Sequence, residues 1–353
     1  MAKRFVIVMF AFVGLVSICI SGCESQEQGV KKLIKALQHK NSQVRRAAAD
    51  ELGKIGKNAI DAVPDLVQAL QDESRDVRTS AVGALGSIGT NTIDAAPALI
   101  KTLQDPEVRW HAEKALVQIG TGAVPVLIQA LQDPKVRQYA TRVLGRIGEN
   151  AIDAVPALIQ TSRDPDEIVR CAAVEALGSI GNNAADAIPI LIQLLQDEVA
   201  NVRSHAAEAL AKIGLGAVPS LLQLLRDEVA HVRASAVWTL AKIGQDAVPA
   251  LVQALQDPSV RVRSNAAGVL GQIGKGAVDA VPGLTLALQD LAPEVRQYAA
   301  GALGEIGSKD AVPALIQRLQ DRGEYVRYYT VEALKKISTP EALKAVKEYE
   351  SRQ

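Results

Sequence analysis

Between residues 30 and 338 the apolar and polar positions follow one repeated template. A Val-Arg pair stands at one fixed place in each of ten units, with Val at 44, 77, 108, 136, 169, 202, 232, 262, 295 and 326. Eleven residues after each Val stands an Ile, from Ile55 to Ile337, followed by Gly in nine cases and by Ser338 in the last. With that Val as template position 1, positions 5, 9 and 12 are almost always Ala, Leu and Ile. At about 100° per residue these four positions share one helical face. Nine prolines, from Pro64 to Pro313, precede a second kind of apolar run, such as ALVQAL at 250–255. Proline suits a first helical turn, where its missing N–H has no partner to lose. Each unit therefore predicts two helices. The first opens at Ala-Val-Pro; the second opens at an Asp cap and stops at a glycine in the left-handed conformation. A single helix face cannot bury itself, so the units must stack.

The Val-to-Val spacings are 33, 31, 28, 33, 33, 30, 30, 33 and 31 residues. Two turns account for them. The turn between units is long (KNAIDAVP, 57–64) or about three residues shorter (TGAVP, 121–125), and the turn within a unit varies by two. Length changes fall in turns while helix lengths hold, as stacking requires.

Residues 1–22 stand apart. Lys3 and Arg4 precede the apolar stretch 5–20, which is short for a membrane span and suits a signal peptide. It ends Ile20-Ser21-Gly22-Cys23, which resembles the lipobox of bacterial lipoproteins. That resemblance implies acylation of Cys23 and a short lipidated linker, 23–29; an ordinary secretory signal or an uncleaved anchor is the alternative. All three Phe lie in this leader. Without Lys3 and Arg4 the chain has 37 basic and 39 acidic residues, which argues against a broad basic surface for nucleic acid. Cys171 is then the one unlipidated cysteine, so no intrachain disulfide forms. Glu24 is not the Asp of inner-membrane retention. The expected location is the bacterial envelope, lipid-anchored, at the outer membrane or its periplasmic face.

Units such as LQDESRDVRTSAVGALGSIG (70–89) resemble HEAT repeats of the phycobilisome-lyase type. The resemblance covers about 30–338 and implies an all-α, right-handed α-α superhelix of about ten two-helix repeats. First helices would lie on the convex side and second helices on the concave side, with residues 339–353 as a capping helix. It also implies a hydrogen-bonded ladder of the template Asp and Arg between neighbouring units, the planar guanidinium suiting that role.

Candidate chemistry is sparse. His111-Ala112-Glu113 has the His-x-Glu form of a zinc deaminase, but positions 4 and 6 lie about 200° apart on a helix and no Pro-Cys-x-x-Cys follows. The HEAT-like di-iron hydroxylases use His-Glu dipeptides, and none occurs here. No cofactor or metal ligand set is expected. Positions 3 and 7, opposite the core stripe, are the variable ones, and both tryptophans occupy them. With the flanking position 4, they give the candidate partner-binding residues Trp110, Lys114, Tyr139, Arg142, Trp238, Tyr298, Tyr328 and Tyr329. Trp, Tyr and Arg are the residues that dominate protein interfaces; filling of grooves between repeats is the bland reading. The expected function is a non-catalytic, membrane-anchored scaffold that binds a protein or peptide. The alternative is a lyase-like or hydroxylase-like HEAT enzyme or subunit, of the bilin lyase or metal-dependent oxidoreductase class. Oligomeric state is not legible.

Overall fold

A computed structural model of the chain describes residues 26–352. The leader, Cys23 and the lipobox lie outside the described residues. No strand occurs among those described, and the observed fold is the α-α superhelix class, built of repeated helix pairs. The chain divides into two compact halves, ending at Ala176 and beginning at Leu177.

In the N-terminal half the first helix runs Gln26–Ala36, so residues 26–29, expected as linker, are helical. Repeats 1 to 4 then supply second helices Ser42–Ile55, Arg75–Ile88, Arg109–Ile119 and Arg137–Ile147. In the C-terminal half, repeats 6 to 10 supply Ala200–Ile213, Ala230–Ile243, Val260–Ile273, Pro293–Ile306 and Glu324–Ile337, and Pro340–Glu350 closes the stack. Repeat 5 contributes Glu167–Ile180. The stripe behaves as its period demands: Val77, Ala81, Leu85 and Ile88 are all buried, as are Val108, Ala112, Leu116 and Ile119. Every first helix from repeat 2 onward carries Pro in its first turn. No described helix is long and apolar enough to cross a membrane.

Three expectations are corrected. First, the template Asp is not the helix cap. Asp72 Oδ1 accepts the Ser74 N–H at 2.8 Å, and Ser74 is the residue that flanks the helix. The carboxylate thus closes an Asx turn one step upstream. Second, the glycine stops are mostly not left-handed helical. Gly89 has φ 75° and ψ −135°, a conformation essentially confined to glycine, and it leads into a seven-residue 3₁₀ segment, Gly89–Ala95. Gly307 and Ser338 are the ones in the left-handed helical region, which a serine can enter.

Third, the Asp–Arg ladder is interrupted. Arg45 donates from Nε and Nη2 to the Asp72 carboxylate at 2.6 and 2.8 Å, while its Nη1 takes the His39 carbonyl at 2.8 Å. The same bridge joins Arg78 to Asp105, Arg137 to Asp164, Arg263 to Asp290 and Arg296 to Asp321. Among the described residues Arg109, Arg203 and Arg233 make no such bridge to the next repeat. The reason is turn length. These three repeats are followed by four-residue 3₁₀ segments, Gly120–Ala123, Gly214–Ala217 and Gly244–Ala247. The next Asp then lies three residues nearer in sequence than the 27 of most bridged pairs and does not come into reach, whereas the intermediate spacing of 25 after repeat 9 still lets Arg296 reach Asp321.

Side-chain size changes with the ladder. At bridged junctions position 10 is glycine and faces Ala at position 8 of the next repeat, as Gly53 faces Ala84, Gly145 faces Ala176 and Gly271 faces Ala302. At the three short-turn junctions the corresponding pairs are Val117 and Val143, Ala211 and Thr239, and Ala241 and Val269. The larger pairs hold the second helices further apart. Two kinds of junction therefore exist: a close one with glycine and an ion bridge, which follows a long turn except after repeat 9, where the turn is shorter, and a spaced one with neither.

Candidate functional site

The aromatic residues are excluded from the core. None of the tryptophans or tyrosines is buried. The predicted site residues fall into two clusters and one outlier, each on the solvent side of the second helices.

The first cluster sits at the spaced junction of repeats 3 and 4. Trp110 is 60% exposed, with the Lys114 ammonium 5.7 Å from its ring centre and the His111 ring edge-on at 5.0 Å. Trp110 and Lys114 are four apart on one helix, which places them side by side. Across the junction Tyr139 lies beneath two guanidinium groups, Arg109 at 4.2 Å and Arg142 at 5.5 Å. Arg109, expected in the ladder, instead stacks on this ring and donates from Nε to the Leu103 carbonyl at 2.7 Å. His111 is neutral near pH 7. Burial and then the charges of Arg75 and Lys114 hold it below the usual histidine value, and among the described residues its buried Nδ1 has no hydrogen-bond partner.

Glu113 is the residue that sequence reasoning missed. Its side chain is 4% exposed, and it pairs with Arg142 and, at 3.7 Å, with Arg146 of the next repeat. The signal was available. Position 6 is Ala, Val or Thr in every other repeat, as at Ala49, Val82, Thr141 and Val174, so one carboxylate stands in an apolar column. A buried carboxylate is costly, and its two partners are more than 40% exposed and well hydrated. Glu113→Val is accordingly expected to leave stability unchanged or raise it by about 1–2 kcal/mol. Urea unfolding decides; a drop of similar size would make the pair a structural one.

The second cluster is a cavity of about 530 Å³ on repeats 8 to 10. Tyr298, Tyr328 and Tyr329 line it, with Gln297 and the Lys336–Glu305 ion pair at 2.5 Å. Tyr328 and Tyr329 meet edge-on at 5.3 Å. Glycine at position 7 makes the room: the Tyr298 ring lies over Gly268 and the Tyr329 ring over Gly301. Trp238 stands alone, 38% exposed, with the Lys242 ammonium 5.3 Å from its ring. Among the described residues no group of three or more His, Cys, Asp and Glu is placed to hold a metal ion.

The family model described as HEAT repeats matches residues 30–117, 63–134, 124–211, 162–241, 218–290 and 281–351. Among solved structures, an engineered protein is 27% identical, covering 88% of this chain and 99% of that one, with a TM-score of 0.40. Kap121p bound to Nup53p is 15% identical over 94% of this chain and 44% of its own, with a TM-score of 0.49. Human deoxyhypusine hydroxylase in complex with glycerol is 28% identical over 72% and 98%, with a TM-score of 0.29. Comparison with curated proteins gives no match.

Proposed function

The chain belongs to the HEAT-repeat family, and from that premise we propose that it is a non-catalytic scaffold that holds a protein or peptide partner along the solvent side of its second helices. One observation carries this reading: the described aromatics all lie outside the core, and Trp110, Trp238 and the three cavity tyrosines point to solvent where the repeat template demands no large residue. An exposed tryptophan costs solubility and is the commonest anchor at a protein interface. The long stack offers such anchors at intervals, which suits an extended partner. Cys23 carries a lipid in this proposal, tethering the scaffold to a membrane of the bacterial envelope, the outer membrane first. The phycobilisome-lyase likeness of the repeats is a likeness of sequence type and brings no lyase activity with it.

The test is capture from envelope membranes by the wild-type chain and by a Trp110→Ala/Trp238→Ala double variant. The double variant is expected to retain its melting temperature and lose the partner. Undiminished capture would end the scaffold reading. Labelling with a tagged fatty acid, in wild type and Cys23→Ala, decides the anchor separately.

A further inference from the structure

We infer that the partner segment engaged by repeats 3 and 4 is acidic. This rests on the scaffold reading and names the chemistry of one of its contact sites. The second helices Arg109–Ile119 and Arg137–Ile147 carry five basic residues, Arg109, Lys114, Arg137, Arg142 and Arg146, against the single carboxylate of Glu113. The chain as a whole balances 39 with 39, so the excess is local. Arg137 is spent on the Asp164 bridge. Of the other four, Arg109 and Arg142 lie over Tyr139, Lys114 lies beside Trp110, and Arg146 pairs with Glu113 one turn on from Arg142.

Their donors are largely unspent. Among the described residues Lys114 and Arg109 have no carboxylate partner. Arg142 uses Nε and Nη2 on Glu113, leaving Nη1, and Arg146 meets the same carboxylate through Nη1 alone. Glu113 thus holds two guanidinium groups, one helical turn apart, facing the same spot. A fork held in place binds a carboxylate better than a freely rotating one, because less side-chain entropy is lost on binding. Trp110, beside Lys114, supplies the apolar contact that flanks the charges.

A nucleic acid fits less well. Both guanidinium groups near Tyr139 lie over its ring and compete with a base for stacking there. The cationic patch also spans two repeats only, whereas backbone binding gains from a long series of phosphate contacts.

The test uses the full chain with Trp238→Phe, so that fluorescence reports on Trp110. A short glutamate-rich peptide, its glutamine counterpart, a single-stranded oligonucleotide and anionic lipid vesicles are titrated separately. The glutamate peptide is expected to bind about tenfold more tightly than the glutamine one at low salt, the preference vanishing near 1 M salt, where charges are screened beyond about 3 Å. Lys114→Gln/Arg146→Gln, both exposed positions, should abolish the preference without changing the melting temperature. Equal binding of the two peptides overturns the inference, as does oligonucleotide or vesicle binding as tight as that of the glutamate peptide. If equal binding comes with capture that still depends on Trp110, the scaffold reading survives; if Trp110 also proves irrelevant, both fall.

Discussion

Replacing Asp321 by Ala is expected to lower stability by about 3 kcal/mol, whereas Asp227→Ala, at the same template position, should cost about 1 kcal/mol or less. The side chain of Asp321 is 3% exposed. It accepts two bonds from Arg296, both at 2.8 Å, and the Gly323 N–H at 2.9 Å. Its removal leaves a largely buried guanidinium unpaired, the costly case for an ion pair. Asp227 holds only its turn, accepting the Val229 N–H at 2.8 Å. Urea unfolding of the two variants compares a bridged with an unbridged junction; equal losses would show that the bridge contributes nothing.

The same bridges fix the acid response. Burial alone would raise the Asp321 and Asp290 carboxyls, but bonds and charge from Arg296 and Arg263 outweigh it and leave both below the usual value. Asp72 is lowered chiefly by its bond from Arg45. Unfolded, these groups titrate near 3.9, so the native state binds fewer protons. Their stabilisation is complete above that pH and is lost as pH falls through the lower native values. Asp321→Ala should accordingly flatten the acid limb of the unfolding midpoint.

Gly304→Ala is the second large effect, an expected loss of about 2–3 kcal/mol, at the upper end of overpacking costs. A Cβ on Gly304 would lie 2.6 Å from the Ala333 Cα and 2.8 Å from its Cβ. Both are atoms that no rotamer change can move, so the two second helices must separate. Gly301, one turn earlier on the same helix, is the control, since its nearest neighbour would be the Tyr329 ring at 3.7 Å. There alanine should be neutral or slightly stabilising, as helix propensity favours it by up to about 1 kcal/mol. Equal melting temperatures for the two variants would refute the close approach.

Much of this architecture is legible in the sequence because a stacked repeat writes each structural demand ten times. Helix faces, prolines at helix starts and the length of each turn follow from periodicity alone. What escapes is whatever depends on two columns at once. Every repeat from the second onward has its Asp and its Arg, so the ladder looks continuous; only turn length tells that Arg109, Arg203 and Arg233 miss their partners. The Asp72 side chain looks like a cap because sequence spacing does not distinguish a cap from an Asx turn one step upstream. Glu113 escapes for a different reason. As half of a His-x-Glu it is dismissed with the histidine, although its oddity lies in its own column. The tyrosine cavity depends on Gly268 and Gly301, whose small size reads as an unremarkable surface choice until the rings are seen lying over them.

The two junction types also say how such a chain can be cut and rejoined. Position 10 of one repeat and position 8 of the next vary together, and the turn between them varies with both except after repeat 9. A block of matched residues thus runs from late in one second helix to the middle of the next. Splicing at a turn, the boundary that looks natural on paper, splits that block and pairs a glycine helix with a valine helix. The piece that can be duplicated, deleted or transplanted intact begins and ends between positions 8 and 10, inside the second helix. Genetic exchange that lengthens or shortens this protein without loss of packing is expected to respect that frame.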